Sequence, residues 1–276
     1  MLQPTLTNVN NIIAVEIPVN VGIIIEGEGP ATRLYIPNNP STSTTALIQL
    51  VNSPSSVPSN GYQSPRPILR NFRIINNNNT SYNMIAILSN YSSNNSSGLG
   101  PIFEDIEVYN PLNTPLTGIY VGVAGPLSNT SAPLGAVVRG YRFLTQNSNG
   151  SDLAIGFDTG ARGVITDSLL YSSTVNGWNN IAIFLGTGNI HITNTEILGF
   201  NTIIHADATD SQSFIDISNS AIGVNRSGTQ TLDNAANSLG FESLVNLTSS
   251  ANLKLRISNS WISSGGNPYV GIYNTD

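Results

Sequence analysis

One short pattern recurs along most of the chain and restricts what it can fold into. Phe214-Ile-Asp-Ile-Ser-Asn-Ser-Ala-Ile222 has counterparts at Leu253–Ile262, Ile190–Ile197, Val164–Leu170, Val137–Phe143, Ile102–Val108 and Ile68–Ile74. In register, one column holds Asn71, Asp105, Gly140, Asp167, Asn194, Asn219 and Asn259. Two residues earlier stands an apolar anchor: Leu69, Phe103, Val138, Ile165, Ile192, Ile217 and Ile257. Successive anchors are 34, 35, 27, 27, 25 and 40 residues apart. A self-similar period in this range, built of short alternating runs, signals a solenoid. Asn, Asp and Gly are the residues that most readily accept a positive φ. One of them between two short strands makes a sharp corner, and seven in register make a stack of corners.

A third strand piece follows a polar loop in each repeat: Met84–Leu88, Gly118–Val123, Leu153–Asp158, Ile181–Leu185, Thr202–His205, Ser243–Leu247 and Tyr269–Tyr273. Alternation within these pieces assigns Ile85/Ile87, Ile119/Val121, Ile155/Phe157 and Ile181/Ile183 to the interior. It assigns Ala86, Tyr120, Gly156, Ala182 and Ile204 to the outside. Three strands per repeat imply an all-β fold, a single three-sheet parallel coil of about seven or eight turns. At about 4.8 Å per turn it is roughly 35–40 Å long. Residues 1–20 read as an N-terminal cap and 21–276 as the solenoid. Helix signals are weak, residues 231–244 offering one short candidate. The chain ends within a strand with no cap visible, which leads us to expect a partner chain or a further segment over the last turn.

Charged residues are 9% of the chain and Lys254 is the one lysine, with a net charge of −6. No basic stripe exists for nucleic acid. The absence of cysteine excludes disulfides and thiol chemistry. No apolar run approaches the roughly 18 residues of a membrane-spanning helix, and no secretory signal is visible at the start. Nine Asn-x-Ser/Thr sequons occur, Asn78 and Asn79 among them, as the Asn, Ser and Thr content alone would produce. No cofactor and no metal site is expected.

This pattern resembles the right-handed parallel β-helix of the pectin-lyase-like superfamily, which includes pectate lyases, polygalacturonases and phage tailspikes. The resemblance covers about residues 20–276. It rests on the ladder Asn71, Asp105, Asp167, Asn194, Asn219 and Asn259, similar to the asparagine ladder of that group, and on Gly22–Ile36, similar to its opening turn. Gly140 interrupts the ladder and leaves that turn without the side-chain hydrogen bond. The resemblance implies right-handed coiling and an extracellular or virion setting. It also implies a homotrimer, or assembly with other virion proteins.

Two function classes follow. One is a non-enzymatic structural or attachment protein binding a surface glycan or receptor. The other is a polysaccharide lyase or glycoside hydrolase. For the second, Asp158 and Asp207 lie two repeats apart, roughly 10 Å by strand spacing, which suits an inverting carboxylate pair. Tyr120, Tyr171, Trp178 and Phe184 are candidates to line one flank for sugar stacking, with Arg162 near. By parity His205 is an inward or edge residue, expected to be a hydrogen-bonded core histidine, and His191 is exposed beside the corner. Arg70/Glu104/Arg139 and Arg73/Glu107/Arg142 form columns of alternating sign, which stabilise a stack modestly. The sparse acids and the presence of a single lysine favour the attachment class.

Overall fold

The computed structural model describes residues 15–18, 23–38, 46–51, 67–92, 100–124, 135–148, 151–158, 161–173, 180–186, 188–206, 213–224, 243–247, 253–264 and 270–274. Among these the chain is all β, with no helix, and every strand pairing is parallel. The strands form two long sheets. The first has nine strands in the order β1 (Val15–Pro18), β4 (Ala46–Val51), β6 (Met84–Ser92), β8 (Leu116–Ala124), β11 (Leu153–Phe157), β14 (Ile181–Leu185), β17 (Thr202–Ala206), β20 (Ser243–Leu247) and β23 (Val270–Asn274). The second has fourteen strands in two ladders that meet in the long strands β5 (Ile68–Asn76) and β7 (Ile102–Asn110). The ladder before the corner continues through β9 (Ala136–Arg139), β12 (Ala161–Thr166), β15 (Gly188–Thr193), β18 (Ser213–Ser218) and β21 (Leu253–Ser258), with β2 (Ile24–Glu26) at its start. The ladder after the corner runs through β10 (Arg142–Thr145), β13 (Leu169–Ser172), β16 (Glu196–Phe200), β19 (Ala221–Val224) and β22 (Trp261–Ser264), with β3 (Arg33–Ile36) at its start. This repeating parallel arrangement is consistent with a solenoid. Residues 1–14, most of the expected cap, lie outside the described residues, as do residues 231–242 of the helix candidate; β1 is the outermost strand of the nine-stranded sheet.

The corner column has the backbone its residue types predict. Asn71, Asp105, Gly140, Asp167, Asn194, Asn219 and Asn259 all have φ between 47° and 61°. The corner amides bond forward into the next row: Gly140 to the Thr166 carbonyl at 3.1 Å, Asp167 to Thr193 at 3.3 Å, Asn194 to Ser218 at 3.2 Å and Asn219 to Ser258 at 3.2 Å. Side chains add less than a continuous ladder implies. Asn194 Nδ2 donates to Asp167 Oδ1, and Asn71 Nδ2 to Glu26 Oε1 at 3.1 Å. At Gly140 the side chain from the preceding row fills the gap: a Cβ there would lie 2.1 Å from Asp105 Oδ1.

A second column, one residue further on, does more of this work. The hydroxyls of Ser168, Thr195, Ser220 and Ser260 each donate to the carbonyl two residues back, at 2.8–2.9 Å, which closes their own corner. Three of them also accept a backbone N–H from the row before: Tyr141 to Ser168, Thr195 to Ser220 and Ser220 to Ser260, each at 3.2 Å.

The interior is made of like residues stacked row on row. The anchors Leu69, Phe103, Val138, Ile165, Ile192 and Ile217 are fully buried. In the nine-stranded sheet the core column reads Ile48, Ile87, Ile119, Ile155, Ile183, Ile204 and Val245, all essentially inaccessible. Each such side chain contributes about 1.5–3 kcal/mol of burial. Beside it runs a column of small residues, Ala86, Gly118, Ala154 and Ala182, which is also buried. Ala86 and Ala182 were expected outside, and so was Ile204; strict alternation fails here, since Ala86 and Ile87, Ala182 and Ile183, and Ile203 and Ile204 are buried as consecutive pairs. The pairing sets Ile85 against Thr117 and Ile87 against Ile119, so the alignment differs by two residues from one that starts each strand at its first isoleucine.

Candidate functional site

Correct register changes what the outer face of the nine-stranded sheet presents. Its outward column is Gln49, Leu88, Tyr120, Gly156, Phe184 and His205, half-buried except for the buried glycine. Among the described side chains the centre of this column is aromatic. Tyr120 lies across Gly156: a Cβ at residue 156 would come within 2.4 Å of Tyr120 Cδ2. The glycine therefore gives the ring room to lie flat. In the next two rows the Phe184 and His205 rings stack with centroids 5.8 Å apart and planes inclined by 19°. His205 is thus half-buried in an outward column and not in the core, because Ile204 takes the core position of its strand.

Asp158 follows β11 directly, at the end of this face. Its amide donates to the Val121 carbonyl at 2.9 Å, and its own carbonyl accepts from Ala161. Burial, with the Asp158 charge as the smaller cause, pushes the Tyr120 hydroxyl up to about 12, so it stays a neutral donor and acceptor. Arg162 stands exposed on β12, across that turn, in the other sheet. Tyr171 is 41% exposed but belongs to β13 of the fourteen-stranded sheet. The single aromatic flank expected from sequence is therefore divided: Tyr120 and Phe184 share a face, and Tyr171 lies on another. Trp178 and Asp207 lie outside the described residues, so the carboxylate pair is seen only at Asp158.

A concavity of about 690 Å3 follows the corner column and includes Asp105, Arg142, Asp167, Asn194, Glu196 and Asn219 in its lining. Asp167 accepts from Asn194 and from Thr166 Oγ1, which accords with a structural role for the corner acids. Both alternating charge columns form as expected. Arg70 pairs with Glu26 and Arg139 with Glu104, while Glu107 lies between Arg73 and Arg142. His191 is exposed, near Asp216, which Arg256 also engages. Arg256 is the main cause holding the Asp216 carboxyl below its ordinary value. Among the described residues no three His, Asp or Glu side chains converge to hold a metal ion.

One polar site was missed by sequence reasoning. Asn76, Asn110, Thr145 and Ser172 align at the inward ends of the strands after the corner, and all are buried. Asp152, also buried, lies at the centre of the network they belong to. Its carboxylate accepts from Asn147 Nδ2 at 2.8 Å, Leu116 N at 2.9 Å, Asn110 Nδ2 at 3.0 Å and Thr145 Oγ1. Asn76 extends the network to Asn110 at 2.9 Å, and Asn180 Oδ1 accepts from the Asp152 amide at 3.0 Å. Burial pushes Asp152 up to about 6, against the pull of these donors. The available signal was a run such as Asn76–Asn79, with amides where inward parity wants an apolar side chain. The Asn78 side chain is itself buried and bonds to the Tyr82 carbonyl at 2.9 Å, so that sequon is closed to a glycan.

No protein-family model, no curated protein and no solved structure matches the chain.

Proposed function

We propose that the chain is a right-handed, three-sheet parallel β-helix of seven or eight turns, of the pectin-lyase-like kind, and that it binds an extended glycan as an attachment or structural protein. The order in which the strands visit the ladder before the corner, the ladder after it and the nine-stranded sheet supports this architecture. The observation that carries the function is the outer aromatic column: Tyr120 flat across Gly156, then the stacked Phe184 and His205. These positions span four adjacent strands, about 14 Å. Aromatic faces bury the apolar faces of sugar rings, while the Tyr120 hydroxyl and Asp158 offer bonds to sugar hydroxyls. A cell-surface or virion setting is part of the proposal and rests on the resemblance to tailspikes.

The test is incubation with a panel of neutral and acidic polysaccharides, scoring both retention and release of shorter chains. Retention without shortening, reduced about tenfold in Phe184→Ala with thermal melting unchanged, is the expected result; a loss of that size corresponds to about 1.4 kcal/mol. Chain shortening abolished by Asp158→Asn would replace this reading with a lyase or hydrolase. Retention unaffected by changes at Tyr120, Phe184 and His205 would refute the assignment of the site.

A further inference from the structure

The outer face of the ladder before the corner carries two adjacent columns over its first four rows. One is aliphatic: Ile24, Ile68, Ile102 and Val137. Ile24 is 55% exposed, and the other three are half-buried. The second, two residues along each strand, is charged: Glu26, Arg70, Glu104 and Arg139. Its sign order is minus, plus, minus, plus. Arg70–Glu26 and Arg139–Glu104 ion pairs within the chain hold the heads outward in this order.

That order is self-complementary on reversal. A two-fold axis lying in the face and parallel to the strands reverses the row order and leaves each column over itself. Row one then meets row four, and row two meets row three. Glu26 faces Arg139 of the second copy and Arg70 faces Glu104, so all four contacts pair opposite charges. The aliphatic columns meet in the same operation. With the two copies side by side in the same direction, Glu26 would meet Glu26 and Arg70 would meet Arg70, four like-charge contacts. The equivalent column after the corner fails the same comparison: Arg33, Arg73, Glu107 and Arg142 on reversal set Arg33 against Arg142.

We propose that this face is an interface between two antiparallel copies of the chain. The isologous contact closes as a pair, in place of the trimer implied by resemblance. Four rows are about 19 Å across and the two columns about 7 Å apart. Such a patch buries well under the roughly 1,200 Å2 of a standard stable interface. The pair is accordingly weak and sensitive to salt, with charge setting its orientation more than its affinity.

The test uses the full chain, which lacks cysteine. Sedimentation equilibrium at high protein concentration and low ionic strength should give a monomer–dimer equilibrium that weakens with salt. An all-acidic column (Arg70→Glu with Arg139→Glu) and an all-basic column (Glu26→Arg with Glu104→Arg) should each give monomers alone and dimers when mixed. Orientation is read from oxidative cross-linking. A mixture of Ile24→Cys and Val137→Cys chains should form the mixed disulfide, and Ile24→Cys alone should not, since three rows separate its two copies. Like-to-like cross-links, a trimer mass, or monomers at every concentration would overturn the proposal. Circular dichroism on each variant separates loss of association from loss of fold.

Discussion

Replacing Asp152 by asparagine probes the buried network through its dependence on pH. In the folded chain burial raises this carboxyl from 3.8 to about 6. Between those values the folded state holds a proton that the unfolded state has released. Stability therefore falls as pH rises through this window. A pKa raised by about 2, at about 1.36 kcal/mol for each, makes the folded chain about 3 kcal/mol less stable at pH 7 than at a pH well below 3.8 from this group alone. Asp152→Asn removes the titration and sets an amide N–H against the Asn110 and Asn147 donors, at a cost of about 1–3 kcal/mol in its own right. The assay is urea unfolding of both proteins from pH 3.5 to pH 7.5. The stability of the wild type relative to the variant should fall with pH by about 3 kcal/mol, mostly between pH 4 and 6. A flat difference would refute the raised pKa. A difference of the opposite sign would mean that the four donors outweigh desolvation and the reasoning fails outright.

Other perturbations read other parts of the structure. Asn219→Leu forces a bulky side chain to φ 48° and should cost about 1–2 kcal/mol, whereas Asn219→Gly should change melting little; equal effects would remove the corner geometry as the cause. Gly118→Ala places a Cβ 2.2 Å from the Tyr141 hydroxyl and 2.5 Å from the Ala154 carbonyl, so urea unfolding should show a loss of about 1–3 kcal/mol, and an unchanged midpoint would contradict that packing. Gly156→Val lifts Tyr120 off the outer face, and the expected result is weaker glycan retention at unchanged melting temperature.

The corner column was legible because a positive φ admits few residue types, so Asn71, Asp105, Gly140 and their fellows announce the backbone they adopt. The anchors and the charge columns followed, since all share the same rigid register around the corner. Legibility faded with distance from it. The nine-stranded sheet lies beyond loops of varying length, and the first isoleucine of each strand is a poor marker when Ile85 pairs with Thr117. Strict alternation in those strands also put His205 inward, away from the outer column that Tyr120 and Phe184 share. Asn76, Asn110 and Asp152 were unreadable for another reason. Buried amides and carboxylates have the same letters as solvated ones, and only the positions of their partners tell them apart.

The isoleucine column also bears on how the chain finds its alignment. Ile48, Ile87, Ile119, Ile155, Ile183 and Ile204 are nearly interchangeable, so a strand that docks one row too early still meets an identical neighbour. Hydrophobic packing alone would let such slipped intermediates accumulate. Among the described residues the Asn76–Asn110–Asp152–Asn180 network has no counterpart in the rows around it, and a slip would strand a buried carboxylate without its donors. It acts as an address written once into a repetitive text, and folding that starts from rows β7 to β14 would count the remaining rows from the right place.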